Sequence, residues 1–296
     1  MAWLELKLAL GHLDAERVEE ALEEVGALSV TLEDAGDEPI YEPDADKPSL
    51  WSDIRLTALF PADAHMDSVT ARLTQALSLK ELPPHRIEPL EDRDWVREWL
   101  KDFKPMRFGR RLWICPTAYT PPDPAAINLI LDPGLAFGTG THATTALCLE
   151  WLDGADVKDR LVVDYGCGSG ILAIAAARLG AREVWAVDND PQALVASRDN
   201  AARNGVVERL RICLPPEFSS KGPALQADAL VANILAGPLV SLEPVLAAHL
   251  KPGGRLVLSG ILKTQEADIR RAYKADFAEL ETQAKGDWIR VVGRRR

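Results

Sequence analysis

Leu161-Val162-Val163-Asp164-Tyr165-Gly166-Cys167-Gly168-Ser169-Gly170-Ile171 is the stretch on which the fold turns. A short apolar run, Leu161–Asp164, reads as a buried strand. Three glycines alternate with small residues behind it, and a helical run follows over residues 171–179. Outward from this unit, residues 183–188 read as the next strand. Residues 191–204 read as the next helix, with Pro191 in its first turn. Further strands are expected at residues 210–214, 229–232, 256–259 and 288–292. A helix is expected over residues 238–250, ended by the turn Lys251-Pro252-Gly253-Gly254. Alternation of strand and helix predicts a doubly wound α/β fold, with a mostly parallel sheet covered on both faces.

Upstream, the pattern differs. Leu4, Leu6 and Leu8 alternate with polar residues, and Ala15, Val18, Leu22 and Val25 follow at helical spacing behind Asp14. Residues 28–32 and 54–58 alternate again. Met66, Val69, Leu73 and Leu77 give a second helix. Residues 85–90 give a fourth strand, which Pro89 weakens. The order β-α-β-β-α-β is the split βαβ, ferredoxin-like arrangement of a small α+β domain. Residues 33–52 read as an exposed acidic loop. Trp95, Trp99 and Phe103 share one face of a connecting helix, expected to be a seam between domains. Extended segments follow near residues 112–115 and 127–131. The expected division is residues 1–90 as the front domain, 91–104 as the linker helix and 105–296 as the catalytic domain.

The 296-residue chain is long enough for two cores. No apolar run of about 18 residues is present, so no membrane-spanning helix is expected. The start of the chain lacks the pattern of a secretory signal. Cys115, Cys148, Cys167 and Cys213 are far apart, which fits reduced thiols in a cytoplasmic protein and no zinc site. Residues 1–60 hold fifteen acidic and four basic side chains and carry the chain's whole net charge of −11. Such a surface repels phosphate backbones and attracts basic proteins, or simply keeps the chain in solution.

Ligands of such sheets bind beyond the carboxyl ends of the strands, where Gly166 and Gly168 let the backbone approach closely. Asp188 ends the next strand, where a carboxylate can accept hydrogen bonds from both hydroxyls of a ribose. Its other use would be as a helix cap, for which Asp190 is better placed. In the dinucleotide fingerprint G-x-G-x-x-G the third glycine would fall at Ile171; here it is Gly170. Asp164 stands two residues before the first glycine, a poor neighbour for a pyrophosphate but suited to a cationic amino-acid moiety. Both departures favour S-adenosylmethionine over a nicotinamide dinucleotide. Asn233 ends a later strand, and its carboxamide oxygen can accept from an amine or an ammonium; alternatively it caps the next helix. An Asn-Pro-Pro-aromatic run here would orient a planar group, a base or a glutamine amide, by stacking. Asn233-Ile234-Leu235-Ala236 lacks that stacking group, which suits a flexible alkyl amine.

The residues Asp164 to Gly170 with Asp188 resemble the first two motifs of the class I methyltransferases. Three segments are more specific: Asp132-Pro133-Gly134-Leu135-Ala136-Phe137-Gly138-Thr139-Gly140-Thr141-His142-Ala143-Thr144-Thr145, Val187-Asp188-Asn189-Asp190-Pro191, and Ala232-Asn233-Ile234-Leu235-Ala236. Together they resemble the family of bacterial methyltransferases of the large-subunit ribosomal protein L-eleven. The acidic front domain and tryptophan-rich linker match by pattern only. Ala143 stands where many members have proline.

That resemblance implies a seven-stranded class I sheet and S-adenosylmethionine as cofactor. It also implies transfer of methyl groups to lysine side chains and the α-amino terminus of that basic ribosomal protein, up to trimethylation. The front domain would hold the protein, and no direct nucleic-acid contact is expected. It puts cofactor contacts at Thr145, Gly166, Asp188 and Asn233. The glycine- and threonine-rich segment with Phe137, Gly138, Thr139 and Thr141 is expected to close over the cofactor, with Asp164 and Gly168 beside it. Asn233 is the expected amine-positioning group, and no general base is evident; His142 is as readily a structural residue of its turn. The alternatives are a nucleic-acid amino-methyltransferase of the same fold, a nicotinamide-dependent oxidoreductase and a non-catalytic cofactor-binding adaptor.

Overall fold

A computed structural model describes residues 3–36, 51–91, 104–132, 142–221 and 225–296. The chain divides into two compact units, residues 1–98 and 99–296. The expected linker helix falls almost wholly outside the described residues.

In the front unit, β1 (Trp3–Ala9), α1 (Ala15–Glu24), β2 (Ser29–Asp34), β3 (Ile54–Pro61), α2 (Met66–Ala76) and β4 (His85–Leu90) follow in the expected order. The strands form one antiparallel sheet ordered β2-β3-β1-β4. Pro89 is tolerated because β4 is at the edge of the described sheet, with no outer neighbour among the described residues to need its missing N–H. Asp14 caps α1, its carboxylate accepting from the Arg17 amide at 2.9 Å. Leu6, Leu8, Leu22, Leu56, Ala58 and Leu73 are fully buried between sheet and helices. Glu16, Glu20, Glu23 and Glu24 of α1 are exposed.

The second unit opens with a small sheet of β5 (Met106–Phe108), β6 (Leu112–Cys115) and β7 (Ile127–Ile130). Helix α3 (Ala143–Gly154) leads into the main sheet. There β8 (Leu161–Tyr165), α4 (Ile171–Arg178), β9 (Glu183–Val187), α5 (Pro191–Arg203), β10 (Leu210–Cys213), α6 (Pro215–Ser220) and β11 (Ala227–Asn233) alternate. They are followed by α7 (Ala236–Ala248), β12 (Leu250–Leu262), α8 (Glu266–Tyr273), β13 (Phe277–Lys285) and β14 (Trp288–Arg295). The seven described strands are ordered β10-β9-β8-β11-β12-β14-β13; β10 to β12 run parallel and β14 is antiparallel to both its neighbours. Separate apolar clusters fill its two faces. Helix α4 is apolar nearly all round and Ile171 to Ala177 are buried, as a helix without a polar face must be.

Three readings need correction. Lys251-Pro252-Gly253-Gly254 does not end a helix: α7 stops at Ala248, and the four residues bulge inside β12. The pairing there jumps from Ala227–Leu250 to Ala229–Arg255. Strand β12 is accordingly far longer than residues 256–259. Strand β13 and helices α6 and α8 were not anticipated.

From β8 the chain builds outward through β9 to β10, then returns to place β11 on the other side of β8. The crevice beyond the carboxyl ends of β8 and β11 is thus the topological switch point, where ligands of such sheets bind.

Candidate active site

The glycine loop leaves β8 at this switch point. Gly166 adopts φ +80°, and a Cβ there would lie 2.2 Å from Cγ2 of Ile234, so both the backbone angle and the space require glycine. The amides of Gly166 and Cys167 donate to the Val187 carbonyl at 2.7 and 3.0 Å, tying the loop to the end of β9.

Asp188 follows directly. One carboxylate oxygen accepts from the Gly168 amide at 2.8 Å and the other from the Asp190 amide at 3.0 Å. Each oxygen keeps a lone pair for a further donor. Asp190, not Asp188, caps α5, accepting from the Gln192 amide at 2.8 Å.

Asp164 is 2 % exposed at the end of β8. Its Oδ2 accepts from the Ala173 amide in the first turn of α4 at 2.9 Å, while Oδ1 is buried with no partner among the described residues. Burial pushes its carboxyl up to about 7, against the Ala173 hydrogen bond and with the negative Asp188 nearby adding to the rise.

Asn233 ends β11 across the crevice. Its Nδ2 donates to Oγ1 of the fully buried Thr145 on α3 at 3.3 Å, and its Oδ1 is buried without a partner among the described residues. It does not cap α7: that helix begins at Leu235 as N-cap, with no side-chain cap. His142 caps α3 instead. Its Nδ1 lies 2.7 Å from Oγ1 of Thr144, and the ring packs edge-on against Trp288 at 4.8 Å. That is the structural use of the two open to it.

Thr145, Asp164, Gly166, Gly168, Asp188 and Asn233 thus gather at one end of the sheet. Phe137, Gly138, Thr139 and Thr141 lie outside the described residues. Two residues the sequence did not point to support the loop from α5. Ser197 donates to the Gly168 carbonyl at 2.9 Å, and Asn200 donates to the Ser169 carbonyl at 2.9 Å. Both are buried. The only available signal was a pair of polar residues three apart, which reads equally as a solvated helix face.

A groove of about 730 Å³ opens elsewhere, lined by Trp151, Arg160, Asp228, Lys251 and Arg255. It sits at the amino ends of β8 and β11, and its Asp228 is already engaged by the Leu161 amide, Arg160 and Lys251. Volume alone does not make it the reaction site. Among the described residues no His, Cys, Asp and Glu cluster could hold a metal, and no helix is long and apolar enough to cross a membrane.

The buried oxygens of Asp164 and Asn233 that lack partners among the described residues fit a ligand with donor and cationic groups. A sheet of this order, closed by an antiparallel hairpin and carrying that crevice, defines the class I methyltransferases, and this chain is one; its cofactor is S-adenosylmethionine. The family model described as "Ribosomal protein L11 methyltransferase (PrmA)" matches residues 2–296. A relative of that name from Pseudomonas putida is 56% identical over 297 residues, covering 100% of both chains. One from Pseudomonas paraeruginosa is 55% identical, covering 100% of this chain and 99% of its own. The crystal structure of a ribosomal protein L11 methylase from Lactobacillus delbrueckii subsp. bulgaricus superposes with a TM-score of 0.57 at 36% identity, over 66% of this chain and 100% of that one. The chain belongs to the ribosomal protein L11 methyltransferase family.

Proposed function

We propose that this chain methylates amines of ribosomal protein L11, both lysine side chains and the α-amino terminus, up to trimethylation. The observation that carries this reading is the buried Oδ1 of Asn233, without a partner among the described residues and oriented by the bond from Nδ2 to Thr145. An acceptor fixed at the carboxyl end of β11 suits the N–H of a neutral amine. With no proline pair or aromatic after Asn233, nothing there selects a planar base. The relatives' shared name supplies the substrate protein.

When bound, S-adenosylmethionine supplies a methyl group on a sulfonium for in-line displacement. Asp188 would hold the ribose, Gly166, Gly168 and Thr145 would line the cofactor, and the Asp164 carboxylate would face its cationic end. Asn233 orients the attacking amine. Positioning of this kind supplies several kcal/mol of barrier reduction. Lysine, with an ordinary pKa near 10.4, must lose its proton to attack, and desolvation beside a cation promotes that loss. No general base is assigned. The acidic front domain would hold the basic protein through the exposed glutamates of α1. Four unpaired, buried cysteines accord with work in the cytoplasm.

The test is incubation with labelled cofactor, separately with L11 and with ribosomal RNA, followed by mass spectrometry. Label is expected on lysine and the α-amine of L11. Label only in RNA would overturn the substrate class.

Two variants probe the cofactor grip. Asp188→Ala removes charge-assisted hydrogen bonds and should weaken cofactor binding by about 1–3 kcal/mol in calorimetry; unchanged affinity would remove Asp188 from the site. Asp164→Asn tests the buried acid. In the parent the folded-state pKa lies above the ordinary carboxylate value, so the group costs stability as pH rises from about 4 to about 7, and the cost then stays constant. Cofactor-free Asp164→Asn should therefore melt close to the parent near pH 4 and several degrees above it at pH 8. Parent affinity for the cationic cofactor should fall as pH drops below about 7, whereas the variant's affinity should be weaker and flat. A melting difference independent of pH would contradict the buried-acid assignment.

A further inference from the structure

The end of β11 is held in an unusual way. Asn233 pairs with Ser259 of β12, and directly beyond that pair β12 changes register between Ser259 and Ile261. Gly260 sits at the irregularity with φ +85°. A Cβ on Gly260 would lie 2.2 Å from the Ile234 carbonyl oxygen, 2.7 Å from its carbon and 3.1 Å from its nitrogen. The Ile234 backbone therefore occupies the place of a missing side chain. In the other direction, Cγ2 of Ile234 occupies the corresponding place at Gly166. Two gaps, one at the end of β8 and one in β12, enclose one residue. Two other left-handed glycines of this unit are different: Gly253 (φ +80°) and Gly286 (φ +60°) have nothing within 4 Å of a built Cβ, whereas Gly109 and Gly170 are crowded mainly by the side chains of Asp153 and Ser197. Gly253 and Gly286 need only the backbone angle, whereas Gly260 needs the angle and the space.

Bulges next to active sites re-aim a side chain, and displacements near 1 Å in a reacting pair cost about a hundredfold in rate. Asn233 has only one side-chain bond among the described residues, at 3.3 Å, to fix its carboxamide. We propose that Ile234, wedged between Gly166 and Gly260, is a positioning residue that sets the Asn233 carboxamide for the incoming amine. Ile234 acts through Asn233, and the inference rests on the role given to Asn233 above. Packing against the backbone of the glycine loop and of β12 suits this task, because neither neighbour can rotate away as a side chain would.

The test uses the full-length enzyme with L11 and labelled cofactor. Gly260→Ala should lower kcat roughly 10–100-fold with the cofactor Kd within threefold of the parent. Gly253→Ala, which meets the same backbone penalty in open space, should leave kcat unchanged. If Gly260→Ala fails to fold, Ile234 itself is read: Ile234→Ala, which loses Cγ2, should lower kcat about tenfold, and Ile234→Val, which keeps it, should recover most of the loss. In an Asn233→Ala background, Ile234→Ala should cause no further loss, because residues acting as a unit are not additive. Full kcat in Ile234→Ala and Gly260→Ala, or equal and additive losses in the Asn233→Ala background, would overturn the wedge. If Asn233→Ala alone were fully active, the Asn233 reading would fall first, so the two failures are distinct.

Discussion

Asn233→Ala is expected to lower kcat for L11 methylation by about 10²–10³-fold while cofactor affinity changes by less than tenfold. Removing one preorganised acceptor or donor from a reacting centre typically costs about that much. The structure gives the reason: Oδ1 is buried, bonded to nothing among the described residues and backed by Thr145 through Nδ2. An alanine leaves an amine to find its own orientation in the crevice. Because Asp188 directly follows β9, on the other side of β8 from β11, the ribose contact proposed for it should be untouched by the change. Steady-state kinetics with varied L11, beside calorimetry for the cofactor, separates the two. A parallel collapse of Kd and kcat would make Asn233 a cofactor ligand only.

Removal of residues 1–90 should spare cofactor binding and abolish methylation of L11, with a loss of about 10²–10³-fold or more at substrate concentrations below KM. A docking domain raises the local concentration of its target, and that gain disappears with it. The deletion is structurally reasonable: Leu6, Leu8, Leu22, Leu56 and Leu73 belong to a core of their own, while among the described residues the clusters on the two faces of the seven-stranded sheet draw on residues from Met106 onward. A short lysine peptide, which gains little from docking, should be methylated equally by both forms. The difference on intact L11 should shrink with added salt, since exposed glutamates act through screened charge. Full activity of the truncated enzyme on L11 would remove the recognition role from the front domain.

Much of this was legible in the residues. The apolar run before Gly166 and the carboxylate at the tip of the following strand locate the crevice by topology alone. Asp190 was recognisable as the helix cap because Pro191 follows it. What was hidden has physical causes. Strand β13 is an edge strand with few buried positions, so its hydrophobic period is faint. Lys251-Pro252-Gly253-Gly254 carries turn chemistry, and a bulge uses the same chemistry inside a strand. Ser197 and Asn200 act on loop carbonyls some thirty residues away, and Gly260 acts on a peptide that only the pairing of β11 with β12 brings near. Nor could spacing show that Asp164 gives one oxygen to the start of α4 and leaves the other without a partner among the described residues.

The anchorage of Asp188 has a kinetic corollary. Its two carboxylate oxygens are already tethered by the Gly168 and Asp190 amides, so the sugar proposed to bind there would meet a finished socket rather than one it must assemble. Yet the sugar is chemically identical in the spent, demethylated carrier. A handle that cannot tell fuel from ash stabilises both, so this grip alone drives no exchange. Turnover should then follow the ratio of fresh to exhausted carrier in the surroundings, and competitive inhibition by the latter should be strong.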